Sequence, residues 1–175
     1  WIIWKQYNDL QIIDENWESM EKYMNLLNET KYAHENICTY NGNYQWADWL
    51  SYEPLESAGG SAFVRDAKGK RTPVPDAVGY WDYLALNYWM IDAEMMCDMA
   101  AATGRDASKY EAMYDEAKSI LLKNHLKADG TFRTEILNTM QTPALFALRN
   151  RLVEGKAKDD MIARLRENFR QHDGC

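Results

Sequence analysis

Apolar residues recur at three- and four-residue intervals along most of this chain, the spacing that gathers them on one side of a helix. The first such stretch covers about 10–29. Ile12, Ile13, Trp17, Met20, Met24 and Leu27 fall on one face, Asp14, Glu15, Glu18 and Lys22 on the other, and Asp9 supplies an N-cap. The second covers about 77–103, with Asp76 as its cap and Gly104 as its C′ stop. Leu84, Tyr88, Ile91, Met95 and Met99 form one stripe of it, and Trp81, Leu86, Trp89, Met90 and Met96 cover much of the remainder. A helix apolar on all sides is expected to be buried. The third covers about 108–125: Ser108 and Glu111 fit a capping box, and Tyr110, Met113, Tyr114, Ala117, Ile120 and Leu121 make one clean face. Ala128-Asp129-Gly130-Thr131 marks a turn. A fourth helix begins near Thr142-Pro143, is lined by Leu145, Phe146, Leu148 and Leu152, and stops near Gly155. A fifth covers about 156–170, with Met161, Ile162, Leu165 and Phe169 inward.

These helices read in turn as wet, buried, wet, buried, wet, and short links such as Gly104-Arg105-Asp106 make neighbours antiparallel. The predicted class is therefore all-α, with inner and outer helices alternating as in part of an (α/α)6 toroid. A helical solenoid alternates in the same way, but no constant repeat length is present. Residues 1–175 read as a fragment of a single domain, cut at both ends. The stretch 30–76 breaks the helical pattern. It is too long for an ordinary connection, and its aromatic density (Tyr40, Tyr44, Trp46, Trp49, Tyr52) argues for an ordered, functional loop at the mouth of the ring.

Composition narrows the chemistry. The chain has 175 residues and a formal net charge of -7. It carries no run rich in Lys and Arg, which argues against a nucleic-acid or anionic-membrane partner. No apolar run approaches the roughly 20 residues of a membrane span. Cys38, Cys97 and Cys175 are odd in number and have no metal-ligand spacing, so they read as free thiols, and neither metal nor cofactor is expected. Compartment stays open, a periplasmic or secreted location being compatible with the parent protein. Seven Trp and eleven Tyr stand against four Phe. Flat apolar faces with a polar handle suit the C–H side of a sugar ring, although they also fill helix interfaces.

The densest chemistry is Tyr44-Gln45-Trp46-Ala47-Asp48-Trp49-Leu50, a carboxylate between two indoles. Such a group can accept hydrogen bonds from sugar hydroxyls while a ring stacks beneath it; equally, buried Trp could anchor the loop with Asp48 capping a turn. Ala47-Asp48-Trp49-Leu50 resembles the Gly-Asp-Trp-Leu motif of α-L-rhamnosidases of glycoside hydrolase family 78. Around it, the stretch from Tyr7-Asn8-Asp9 to Tyr23 is similar to the family's preceding outer helix. Residues 85–110 are similar to its long inner helix and the start of the next outer one, and Asn138-Thr139-Met140-Gln141-Thr142 to its Thr-Gln-Thr entry into an inner helix.

The resemblance covers most of the chain and implies an (α/α)6 barrel that hydrolyses terminal α-L-rhamnosides with inversion. Inversion uses an acid and a water-activating base roughly 6.5–9.5 Å apart. The family's acid lies in an Asp-Glu-Arg-x-Gly-Trp-type run and its base is a later glutamate. Neither run occurs here, so no catalytic residue is assigned and the fragment alone is expected to be inactive. The sugar-platform tryptophan carries over to Trp49, with Asp48 beside it. Trp46, Tyr80 and Trp81 complete the expected sugar-binding set, for a rhamnose-containing oligosaccharide, polysaccharide or glycoside. Ala47 departs from the family's glycine, which costs about 1 kcal/mol if the position needs positive φ.

Asp82, Asn87 and Asp92 on the apolar helix, and Glu135 and Gln141 before the fourth, are further pocket candidates. His34, His125 and His172 have no partner spacing and read as surface or capping residues. Two other readings stay open. Another (α/α)6 glycosidase or polysaccharide lyase would keep the ring and change the sugar, and a non-catalytic helical interaction domain would bind no monosaccharide.

Overall fold

The computed structural model describes residues 1–32, 63–65, 71–73 and 75–171. Their elements are α1 (Ile2–Tyr7), α2 (Gln11–Tyr32), β1 (Phe63–Arg65), β2 (Arg71–Pro73), α3 (Pro75–Thr103), α4 (Ser108–Asn124), a 3-10 turn (Glu135–Asn138), α5 (Gln141–Arg149) and α6 (Gly155–Gln171). Helix is the framework. The strands form one short antiparallel ladder inside the long insertion, with Val64 opposite Thr72.

The faces read from the sequence hold for α2, α4 and α6. In α2, Ile13 and Met24 are buried, while Ile12, Trp17, Met20 and Leu27 pack partly against the core. The Asp9 carboxylate accepts the Gln11 N–H at 2.9 Å, the capping its position suggested. In α4, Tyr110, Met113, Ala117 and Leu121 are buried. In α6, Met161 is buried and Ile162, Leu165 and Phe169 are half-buried. The centre of the core is α3, where Tyr83, Leu84, Leu86, Trp89, Met90, Ala93, Met96 and Met99 are all within 3% of complete burial. Each large apolar side chain among them contributes roughly 1.5–3 kcal/mol. Gly104, at φ 70°, stops α3 as expected, and the Arg105 N–H returns to the Ala100 carbonyl at 2.9 Å.

Several local expectations are overturned. Helix α1 is an addition: at six residues with none buried it has no periodic face to read, and Trp1 and Lys5 hold it to Asp98 of α3 at 3.2 and 3.1 Å. Asp76 lies inside α3, which starts at Pro75. The Ser108/Glu111 capping box does not form. Asp106 caps instead, its carboxylate taking both the backbone N–H and the hydroxyl of Ser108 at 3.0 and 2.6 Å, and these bonds hold its pKa below the usual carboxylate range. Helix α5 ends at Arg149, well short of Gly155, because Arg151 turns left-handed at φ 52° and the Leu152 N–H folds back to Ala147. Its buried side is Pro143, Ala144 and Ala147, and Leu145 points to solvent. Tyr88, expected in the buried stripe of α3, is 52% exposed with its ring edge-on to Phe146.

Cross-links fix the layering. Tyr23 and Asp92 interact between α2 and α3, and Asp14 meets Arg105 beyond the end of α3, so α2 runs antiparallel to α3. His125 after α4 meets Asp82 near the start of α3, so α4 is antiparallel to it as well. Tyr83 meets Pro143, and Asn87 meets Asn150, so α3 and α5 run side by side in the same direction. Gln141 meets Asn168, so α6 returns along α5. Helices α3 and α5 thus form a parallel inner pair, and α2, α4 and α6 an outer layer of opposite direction.

Candidate functional site

Parallel inner helices present their N-termini at one end, together with the segments that lead into them. Here that end gathers the start of α3, the start of α5 and the stretch 125–140 after α4. Trp46, Asp48 and Trp49, with the Ala47 departure, lie outside the described residues, as do His34 and His172. Tyr80 and Trp81 belong to the second turn of α3, at this same end.

Asp82 follows them. Its carboxylate lies 3.0 Å from His125 Nε2, with the side chains 23% and 5% exposed respectively. His125 was expected at the surface or as a cap. It does occupy the C-cap of α4, but it is buried. The carboxylate can only accept, so the Nε2 atom carries the proton and donates. Nδ1 is buried with no partner among the described residues. The imidazole is clamped by the edge-on ring of Tyr83 at 5.5 Å, and Tyr83 in turn meets Phe132 edge-on at 5.2 Å. The Tyr83 hydroxyl donates to the Pro143 carbonyl at 2.8 Å, and burial pushes its phenol far above the usual range. Phe132 is held by one side chain: Asn138 accepts its N–H at 2.8 Å and donates to its carbonyl at 3.0 Å, pairing an amide where a strand would otherwise sit. Asp129 and Gly130 close the turn, the Asp129 carboxylate taking the N–H and hydroxyl of Thr131 at 2.9 and 2.6 Å.

The other polar candidates have structural work. Asn87 Nδ2 donates to the Tyr83 carbonyl at 2.7 Å, and its Oδ1 accepts from Asn150 at 2.7 Å. Arg149 extends this chain, reaching Asn150 at 2.7 Å and Glu94 at 2.6 Å. Gln141 donates to Asn168 at 2.8 Å, and Asn168 donates to the Thr139 carbonyl at 2.9 Å, which seats the Thr-Met-Gln-Thr entry on α6. Glu135 is exposed. Asp92 is half-buried in the middle of α3, and burial raises its pKa to about 6. The thiol of Cys97 is pushed up to about 11, first by burial and then by Glu111 and Asp98, which makes it a poor nucleophile. Among the described residues no three His, Cys, Asp or Glu side chains come together as a metal site, and no helix is long and apolar enough to cross a membrane.

The structure therefore brings Asp82, Tyr83 and the start of α5 together at one end. It removes Asn87 and Gln141 from the list of free ligand-binding groups and adds His125. The sequence signal for His125 is weak: one histidine four residues past the last apolar residue of a clean helical face, with its acidic partner 43 residues away.

The family model of the bacterial alpha-L-rhamnosidase six-hairpin glycosidase domain matches residues 1–174. No curated protein and no solved structure matches the chain. Helices alternating between a parallel inner pair and an antiparallel outer layer are what a hairpin-built ring requires, and with a match over nearly the whole length the chain belongs to the bacterial alpha-L-rhamnosidase six-hairpin glycosidase domain family.

Proposed function

We propose that the protein carrying this chain hydrolyses terminal α-L-rhamnosides with inversion, and that this chain supplies part of its sugar-binding barrel. The observation that carries the reading is the family match over residues 1–174. The aromatic-rich run Trp46-Ala47-Asp48-Trp49 supports it, because a deoxysugar offers a methyl edge for an indole and hydroxyls for a carboxylate. In this reading Trp49 forms one wall of the pocket, with Asp48, Trp46, Tyr80 and Trp81 around it. The acid and base come from residues outside this sequence, so the chain alone gives no turnover.

The test is a panel of nitrophenyl glycosides offered to the intact protein, with the α-L-rhamnoside cleaved in preference to the others. Preference for another sugar would move the protein to a different glycosidase class, and absence of all cleavage would favour an interaction domain. An aromatic wall against the sugar contributes roughly 1–3 kcal/mol. Trp49→Ala is then expected to lower kcat/KM about ten- to a hundredfold, with Trp49→Phe retaining part of it. A Trp49→Ala protein with a lower melting temperature and unchanged kinetics would end the role of Trp49.

A further inference from the structure

We propose that Asp82 contacts the substrate by accepting hydrogen bonds from hydroxyls of the bound sugar, and that His125 is the positioning residue that holds its carboxylate. The inference rests on the glycosidase reading above and names two residues for it.

Three features of the pair are hard to explain as stability alone. Asp82 and His125 are the one acid–histidine contact among the described ion pairs, and His125 is almost fully buried. A buried polar pair is commonly no more stabilising than apolar residues of the same volume. His125 also leaves Nδ1 buried without a partner among the described residues, an arrangement that costs rather than stabilises and that calls for a reason. Finally, the clamp has depth. His125 fixes Asp82, Tyr83 fixes His125, and the Tyr83 hydroxyl is itself held on the Pro143 carbonyl at the entry to α5. Rigid support behind a polar group is what a binding site needs to present that group in one geometry.

The geometry leaves Asp82 usable. Its Oδ2 is the oxygen bonded to His125, and its side chain remains 23% exposed. An ionised carboxylate has about four acceptor directions. With one taken by imidazole, the rest suit neighbouring sugar hydroxyls, which are donors. Asp82 sits in the second turn of inner helix α3, at the end shared with the start of α5.

The experiment uses the intact enzyme and nitrophenyl α-L-rhamnoside, with melting temperature measured on every preparation. Asp82→Asn removes the charge and keeps the shape. It is expected to lower kcat/KM about ten- to a hundredfold, the loss expected for a hydrogen bond to a charged group. Free L-rhamnose should inhibit this variant correspondingly more weakly. His125→Leu is expected to lose much of the same activity, chiefly in KM. His125→Gln, whose amide can donate from near the Nε2 position, is expected to recover most of it. A purely structural pair predicts lower melting temperatures for all three variants, with wild-type KM and rhamnose inhibition in the folded fraction; that result overturns the proposal. So does equal loss in His125→Gln and His125→Leu at equal stability. A wild type that cleaves another glycoside but not the rhamnoside overturns the reading of the sugar alone, and the same variants are then compared on that glycoside. A wild type that cleaves nothing overturns both.

Discussion

Replacing Asp92 by asparagine should stabilise the protein, and by an amount that depends on pH. The carboxyl is half-buried on α3 and makes no hydrogen bond with the described residues. Burial raises its pKa from 3.8 to about 6, and its charge adds to burial in raising the phenol of Tyr23. In the unfolded chain the group titrates near its ordinary value, about 3.9. The folded state therefore holds the proton more tightly. Below about pH 4 both states are largely protonated and the group costs little. As the pH rises toward 6 the folded state must either keep the proton or bury a charge, and above 6 the full penalty applies. A gap of about two units corresponds to at most about 3 kcal/mol. Solvent still reaches part of the carboxyl, so about 1–2 kcal/mol is the expected effect. Asparagine has nearly the same shape and no charge. Thermal unfolding of wild type and Asp92→Asn in parallel from pH 5 to 8 measures it. The variant should melt higher by roughly 2–8 °C at pH 8, with about half that difference at pH 5. Comparing the two proteins at each pH cancels the other titrating groups. A difference that stays constant with pH, or a variant that melts lower at pH 8, would refute the argument.

Two further outcomes test the frame. Gly130 sits at φ 77°, and an added Cβ would meet the Ala157 carbonyl oxygen at 3.0 Å; Gly130→Ala should cost about 1–3 kcal/mol by combining left-handed strain with overlap, and an unchanged melting temperature would show that the turn yields. Asn87 and Asn150 are buried and bonded to each other, so each single alanine variant should cost about 1–3 kcal/mol by orphaning its partner; the double variant should cost clearly less than the sum, and strict additivity in denaturant unfolding would remove the link.

The helical layer plan was readable because it rests on long periodic segments. A stripe such as Tyr110, Met113, Ala117 and Leu121 leaves few alternatives for its orientation. The parts that were not readable depend on single interactions. Whether Asp106 or Ser108 caps α4 is decided by one rotamer and one carboxylate, and both residues are common caps. The early end of α5 follows from Arg151 adopting a left-handed backbone, which arginine composition does not announce. Leu145 and Tyr88 read as inward because they are apolar, but the buried side of α5 is Pro143, Ala144 and Ala147, and Tyr88 rests half-exposed against Phe146.

For the candidate site, single polar residues stand out in the sequence, but their three-dimensional pairing does not. Asp82 stood out as a charge on an apolar helix. Nothing local linked it to His125, because the two come together only when α4 returns along α3. Asn87 stands out as a polar residue on the same helix and Gln141 as one just before the fourth, and the structure gives them neighbouring amides and carbonyls instead of open space.

The polar tie between the inner helices also bears on how the molecule assembles. Helices α3 and α4 are joined by a short link, so their pairing closes a small loop at little entropic cost. The Tyr83–Pro143 and Asn87–Asn150 contacts span 60 and 63 residues. Contacts of such separation are favoured late, after the local hairpin has already restricted the chain. The Asn87–Asn150 bond then acts as a latch that closes on a preformed hairpin. Its contribution falls mainly on how slowly the native protein comes apart, and little on how quickly it forms.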